Sequence, residues 1–306
     1  MRVALFGATG FIGSYLVDAL LAAGHEPAAL VRPGSEHRLR QPERCLPIAG
    51  TIDDRAAIAA TLRECEAAIY LPGLLRENPR AGVTFQAIQY EGARRVMQAA
   101  AEQGVRRFLL MSANGASADG TPYQRTKYAA ERELADSQLE GTVFRPSVVF
   151  GDPRGRMEFC TQLKGQMIDP PIPAPAFFRG LSPRRGGFRM SPVHVEDVAQ
   201  AFVRSLDDPA TVGQVYPLGG PETLDWPDIV RRIAAAAGRR KWIVPAPAGP
   251  MLLVCKVFDR FAWFPLTADQ LTMLLEGNSV TSRAAFERLE ITPRPMTSEA
   301  LAYLRR

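Results

Sequence analysis

Three glycines at fixed spacing near the start of the chain, Gly7-Ala8-Thr9-Gly10-Phe11-Ile12-Gly13, constrain the fold more than any other feature. They follow the apolar run Val3-Ala4-Leu5-Phe6 and open a helical pattern near 11–23. A strand that turns sharply into a helix needs glycine where the backbone bends, where another group approaches it, and where helix packs on strand. The free amides at such a helix start attract an anion. Between strand and helix, this pattern reads as a site for the pyrophosphate of a dinucleotide, built from Gly7, Thr9, Gly10, Phe11, Ile12 and Gly13. A purely structural strand-to-helix turn is the alternative.

The rest of the first half supports that context. Apolar, β-branched runs near 2–7, 27–31, 45–48, 67–71, 106–112 and 141–145 alternate with helical patterns near 11–23, 53–63, 83–103 and 123–138. The alternation predicts an α/β, Rossmann-type doubly wound parallel sheet. From Gly151 the rhythm changes, and residues 169–192, dense in proline, glycine and arginine, read as a substrate-facing loop. Helices follow near 195–207, 225–237, 248–262, 267–276 and 297–304. The expected organisation is a dinucleotide-binding domain over 1–150, rejoined by about 191–218. Residues 151–190 and 219–306 form a smaller, mostly helical C-terminal domain for substrate or partner.

Composition narrows the classes. The chain's 306 residues, 46% of them hydrophobic, can bury one large core or two modest ones. A formal charge of +5 with no basic stripe interleaved with aromatics argues against nucleic acid and suits anionic small ligands or an acidic membrane surface. Cys45, Cys65, Cys160 and Cys255 form no Cys-x-x-Cys pair, so neither a zinc site nor a disulfide framework is expected, and a reducing cytoplasm is the simplest setting. No apolar run approaches the roughly 18–20 residues of a membrane span, so the chain is not expected to be integral to a bilayer.

The choice of dinucleotide falls at the end of the second strand. There an acid about 20 residues beyond the glycines would bind the ribose 2′-hydroxyl of NAD. This chain has Arg32, whose guanidinium suits a 2′-phosphate, so NADP(H) is expected, with NAD(H) as the alternative. A solvated strand-end arginine is the other reading.

These residues, with Tyr123-x-x-x-Lys127 and Arg145-Pro146-Ser147-Val148-Val149-Phe150-Gly151, resemble the extended and atypical short-chain dehydrogenase/reductase superfamily. Within it the chain is most similar to the branch of the NADPH-binding accessory subunit of respiratory complex I. That likeness rests on Gly73-Leu74-Leu75-Arg76-Glu77, Thr84-Phe85, Tyr90-Glu91-Gly92-Ala93-Arg94, Val193 to Ala199, Asp225-Trp226 and Leu266 to Leu271. The resemblance implies that Lys127 binds the nicotinamide ribose and lowers the pKa of Tyr123, the general acid or base. It also implies a serine after the fifth strand. Here Ser112 ends the strand and Asn114 takes the serine's place on a shortened loop, where its amide can still polarise a carbonyl. Thr51 replaces the usual adenine-binding aspartate, leaving Ile52 to pack on the ring. Leu71 and Gly73 resemble cofactor-lining positions, and Pro146, Val148 and Val149 the wall near the nicotinamide. An ordinary amphipathic helix carrying Tyr123 and Lys127 is the bland alternative.

His194 and Asp197 read as packing and bracing groups. Arg179, Arg184, Arg185 and Arg189 crowd one loop and would suit an anionic or quinone-like small molecule, or else are simply solvated. Segment 250–264 is broadly apolar with charges on one helical face, fit for a membrane interface on the inner face of a membrane, a protein complex, or the core. Two functional classes follow: a weakly or non-catalytic NADP(H)-binding accessory protein linked to complex I or quinone metabolism, and an active NADPH-dependent reductase or epimerase-like enzyme.

Overall fold

The computed structural model describes residues 1–180, 187–259 and 266–305. The strands β1 (Arg2–Phe6), β2 (Glu26–Val31), β3 (Leu46–Ala49), β4 (Ala67–Tyr70), β5 (Arg107–Met111) and β6 (Glu140–Pro146) join Val215–Leu218 in one seven-stranded sheet. Its order is Val215–Leu218, β6, β5, β4, β1, β2, β3, and every neighbouring pair is parallel. Val3 to Phe6 of β1 and all of β4 are fully buried. Strands covered on both faces must be continuously apolar, which is why these runs lack alternation. Strand order reverses between β1 and β4, the switch point where such sheets open a crevice at their carboxyl ends. The helices α1 (Phe11–Ala22), α2 (Arg55–Leu62), α3 (Gly92–Glu102) and α4 (Pro122–Asp136) connect the strands.

The chain divides into two compact units, and each is assembled from three segments. The first comprises Met1–Pro146, Val195–Leu218 and Arg283–Thr292, the second Ser147–His194, Gly219–Ser282 and Pro293–Arg306. The first therefore ends earlier than the expected residue 150 and regains ten residues near the C-terminus. That return is fixed by Arg288, paired with Asp208 at 2.8 Å, and by Arg204, which donates to the Leu289 and Glu290 carbonyls at 2.7 and 2.6 Å. The helix Arg283–Arg288 is too short to show a helical period in the sequence.

The second unit packs around Phe150, Cys160, Phe177, Phe188, Trp226, Ile229 and Leu271. The stretch read as a proline-rich loop contains the strand Ala174–Phe178, paired in parallel with Ile243–Pro247. A two-stranded pair tolerates proline because an edge strand need not donate every amide. The helix expected near 297–304 is instead a run of turns ending in the 3-10 segment Ala302–Arg305. The apolar helix near 248–262 runs Ala248–Phe258; residues 260–264 lie outside the described residues. Among the described residues no helix is long and apolar enough to cross a membrane.

Candidate functional site

The glycine turn has the geometry that an anion cradle requires. Gly7 has φ +97°, where a side chain is strained, and a Cβ there would stand 3.2 Å from that of Leu71. Gly13 is needed by the turn itself, since a Cβ there would fall 2.1 Å from the Gly7 carbonyl oxygen. Gly10 is exposed, and a Cβ would meet only that same oxygen, at 3.3 Å. The first turn of α1 carries no side-chain cap and no acid. Its amides therefore suit a pyrophosphate. Thr9, Phe11 and Ile12 border the turn and are partly buried.

Arg32 follows β2 directly and is exposed. The nearest acid along the chain, Glu36, accepts from the Gly34 amide at 3.1 Å. Ile52 is half-buried, and its carbonyl accepts from Arg95 Nε at 3.0 Å. Asp54 caps α2 by accepting from the Ala56 and Ala57 amides. Leu71 continues β4, with its amide donating to the Phe6 carbonyl at 3.0 Å.

On α4, Thr121 and Gln124 form a reciprocal capping box with Pro122 in the first turn, which fixes where the helix starts and hence where Tyr123 and Lys127 stand. Lys127 is buried, and its Nζ donates to the Met111 carbonyl at 2.9 Å and the Pro72 carbonyl at 3.5 Å. A Cβ on Gly73 would lie 3.3 Å from that Nζ, so glycine keeps the approach open. Burial pulls the Lys127 ammonium down to about 8, against the field of Glu131, which favours the charge. Tyr123 is half-buried with its ring edge-on to Phe85, centroids 5.6 Å apart. Among the described residues no hydrogen bond reaches its hydroxyl. Burial pushes the phenol up to about 12, opposite to the expectation that Lys127 lowers it.

Ser112 is engaged away from the expected substrate position. Its hydroxyl donates to Glu131, which is paired in turn with Arg145, whose Nε lies 2.8 Å from the Glu131 Oε1. The serine thus gives its hydroxyl proton to a buried carboxylate. Asn114 sits on the short loop between β5 and α4, its backbone N–H donating to the Pro146 carbonyl at 2.9 Å. The loop wraps Gln124: a Cβ on Gly120 would stand 2.6 Å from the Gln124 Oε1. Gly7 to Gly13, Arg32, Ile52, Leu71, Gly73, Ser112, Asn114, Tyr123, Lys127 and Pro146 all belong to the first unit. Val148 and Val149 do not: they lie in the second, where Val148 packs on its core and its carbonyl accepts from the Val193 amide. His194 is also there, edge-on to Phe150. Arg189 pairs with Asp225 at 3.3 Å, Arg179 is exposed, and Arg184 and Arg185 lie outside the described residues.

Sequence reasoning missed the backbone carbonyls of Pro72 and Met111, which carry no side-chain signal. It also missed Gln89, whose amide donates to the Leu74 carbonyl and accepts from Thr126. Gln89 lies in a π-helical segment, Gln86–Glu91, where the Tyr70 hydroxyl donates to the Ile88 carbonyl. Gly92, at the end of that segment, was the one available signal: a Cβ there would collide with the Tyr70 hydroxyl at 2.4 Å.

Residues 7–171 match the family model described as NAD(P)H-binding. The chain belongs to this family. Among curated proteins it is 24% identical to the mitochondrial NADH-ubiquinone oxidoreductase 40 kDa subunit of Neurospora crassa, covering 98% of this chain and 78% of that protein. It is 26% identical to the ceramide reductase of Caulobacter vibrioides, covering 87% of this chain and 79% of that one. The UDP-glucose 4-epimerase of Thermus thermophilus, solved with NAD, superposes with a TM-score of 0.75 at 19% identity, covering all of this chain and 98% of that one. The chain is thus an NAD(P)H-binding protein, similar along nearly its whole length to the 40 kDa subunit, with the fold of the epimerase.

Proposed function

We propose that the protein holds NADP(H) in this site with weak turnover or none, as an accessory component of a respiratory or quinone-linked assembly. The observation that carries this reading is the commitment of the Ser112 hydroxyl to Glu131. It leaves Asn114 to meet a substrate oxygen from a loop tied to Pro146 and wrapped on Gln124. The likeness to the 40 kDa subunit supports membership of such an assembly. Arg32, exposed after β2, favours the phosphorylated dinucleotide.

When bound, the nicotinamide supplies or accepts hydride. The amides opening α1 hold the pyrophosphate, Gly10 lets it approach, and Lys127 reaches the ribose hydroxyls with the donor capacity its two carbonyl contacts leave. Tyr123, a phenol at neutral pH, can give a proton to a carbonyl oxygen but takes one back poorly. A second reading, an active NADPH-dependent reductase, is favoured by the buried Lys127 drawn to about 8 and by the likeness to a ceramide reductase.

NADPH oxidation against quinones, aldehydes and ketones separates the two. A missing positioned donor costs about a hundred- to a thousandfold in rate. Wild type is therefore expected near background, with Asn114→Ser gaining activity. Robust wild-type turnover that Tyr123→Phe abolishes would establish the reductase instead.

A further inference from the structure

The helix Ala248–Phe258 is apolar nearly all round, a composition that belongs inside a core, yet the described residues cover only one of its faces. Ala248, Met251, Leu252 and Cys255 pack on the second unit's core. Leu253 (67% exposed), Val257 (53%) and Val254 stand in solvent on the opposite side. The strand Ile243–Pro247 runs directly into this helix and behaves the same way: Ile243 and Ala246 turn inward, while Trp242 (82% exposed) and Val244 turn out.

The charges of this stretch are mostly positive. Residues 239–259 contain Arg239, Arg240, Lys241 and Lys256 against Asp259 alone. Arg239 lies 3.7 Å from the Asp169 carboxylate, and Lys241 Nζ donates to the Ile168 and Pro170 carbonyls, which anchor the turn before Trp242. Arg240 is exposed and has no ion-pair or hydrogen-bond partner among the described residues.

We propose that this stretch, Arg240 to Phe258, is the surface by which the protein rests on an anionic lipid bilayer. An exposed tryptophan beside bases is the pairing that settles at the headgroup level, and an apolar helix face lies in the plane of the acyl boundary below it. Free cations gain from the negative surface potential, and the stretch offers that surface almost no acid to repel. A symmetric contact between two copies fits worse, because it would bring two patches of the same net positive charge together.

The test is flotation of the full chain with vesicles of phosphatidylcholine, with and without phosphatidylglycerol. Binding is expected only to the anionic vesicles, weakening as salt rises. Arg240→Gln should weaken it about fivefold, the effect of one interfacial charge. Leu253→Asp with Val257→Asp, both at exposed positions, should abolish it with the melting temperature unchanged. The proposal is overturned by absence of binding at low salt, by equal binding to neutral vesicles, or by full binding of the double variant. It is equally overturned by a dimer in sedimentation that the double variant dissociates.

Discussion

Gly10 and Gly13 stand three residues apart in one turn, yet a methyl group added at each meets different surroundings. At Gly10 it approaches only the Gly7 carbonyl oxygen, at 3.3 Å, and otherwise enters the space a pyrophosphate would need. Gly10→Ala is therefore expected to keep its melting temperature within a few degrees while NADPH affinity falls about ten- to a hundredfold, the worth of one charge-assisted hydrogen bond. At Gly13 the methyl would sit 2.1 Å from that oxygen, so the turn itself must move. Gly13→Ala should lose about 1–3 kcal/mol of stability by overpacking as well as the cofactor. Calorimetry with thermal melts separates the two, and an unaltered affinity in Gly10→Ala would displace the cofactor from this turn. Arg32 belongs to the same scale. A guanidinium on a 2′-phosphate is worth about ten- to a hundredfold, so wild type should prefer NADPH over NADH by that factor and Arg32→Ala should lose the preference. Equal wild-type affinities would refute it.

At the scale of the element, α4 fixes a lysine whose burial makes stability depend on pH. The Lys127 pKa falls from 10.5 to about 8 in the fold. Below pH 8 the group is protonated in both states. Between about 8 and 10.5 the unfolded chain binds a proton that the folded one does not, so this lysine's contribution to stability rises with pH. Cys45, Cys65, Cys160 and Cys255 act the other way: burial raises their thiols, and their contribution falls above pH 9. Comparison with Lys127→Met cancels the thiols. The wild-type advantage should grow by roughly 2–3 kcal/mol between pH 8 and 10, at 1.36 kcal/mol per unit. A flat difference would mean that the ammonium is solvated. The same helix shows what sequence can reveal. The helix expected near 123–138 is found at Pro122–Asp136, and β1, β2, β4 and β5 were legible because doubly buried strands are unbroken apolar runs. The π segment before α3 was not, since a slipped hydrogen-bond register leaves no periodic trace. Nor was Ala174–Phe178, whose proline and short partner strand imitate a loop. In the site, the positions of the glycines and of Lys127 could be read, whereas the commitment of Ser112 to Glu131 depends on a contact across 19 residues that no local pattern encodes.

At the scale of the whole molecule, the last 24 residues are divided between both units: Arg283–Thr292 completes the first and Pro293–Arg306 the second. Phe286, Leu289 and Ile291 are buried in one, and Met296, Leu301 and Leu304 in the other. The polar ties match. Arg204 loses its carbonyl acceptors without Leu289 and Glu290, Arg232 loses the Met296 carbonyl at 3.0 Å, and buried Glu158 loses the Tyr303 hydroxyl at 3.3 Å. Six large buried side chains at about 1.5–3 kcal/mol each amount to about 9–18 kcal/mol, at least comparable with the whole stability of an ordinary domain. A chain ending at Ser282 is therefore expected to fail to fold in either unit, although every proposed cofactor contact lies upstream of the cut. Leu301→Ala, which empties one fully buried position, should fold but lose about 2–5 kcal/mol. Circular dichroism during a thermal melt decides the matter: a cooperative transition in the truncated chain, with NADPH binding intact, would show that the first unit stands without its returning segment.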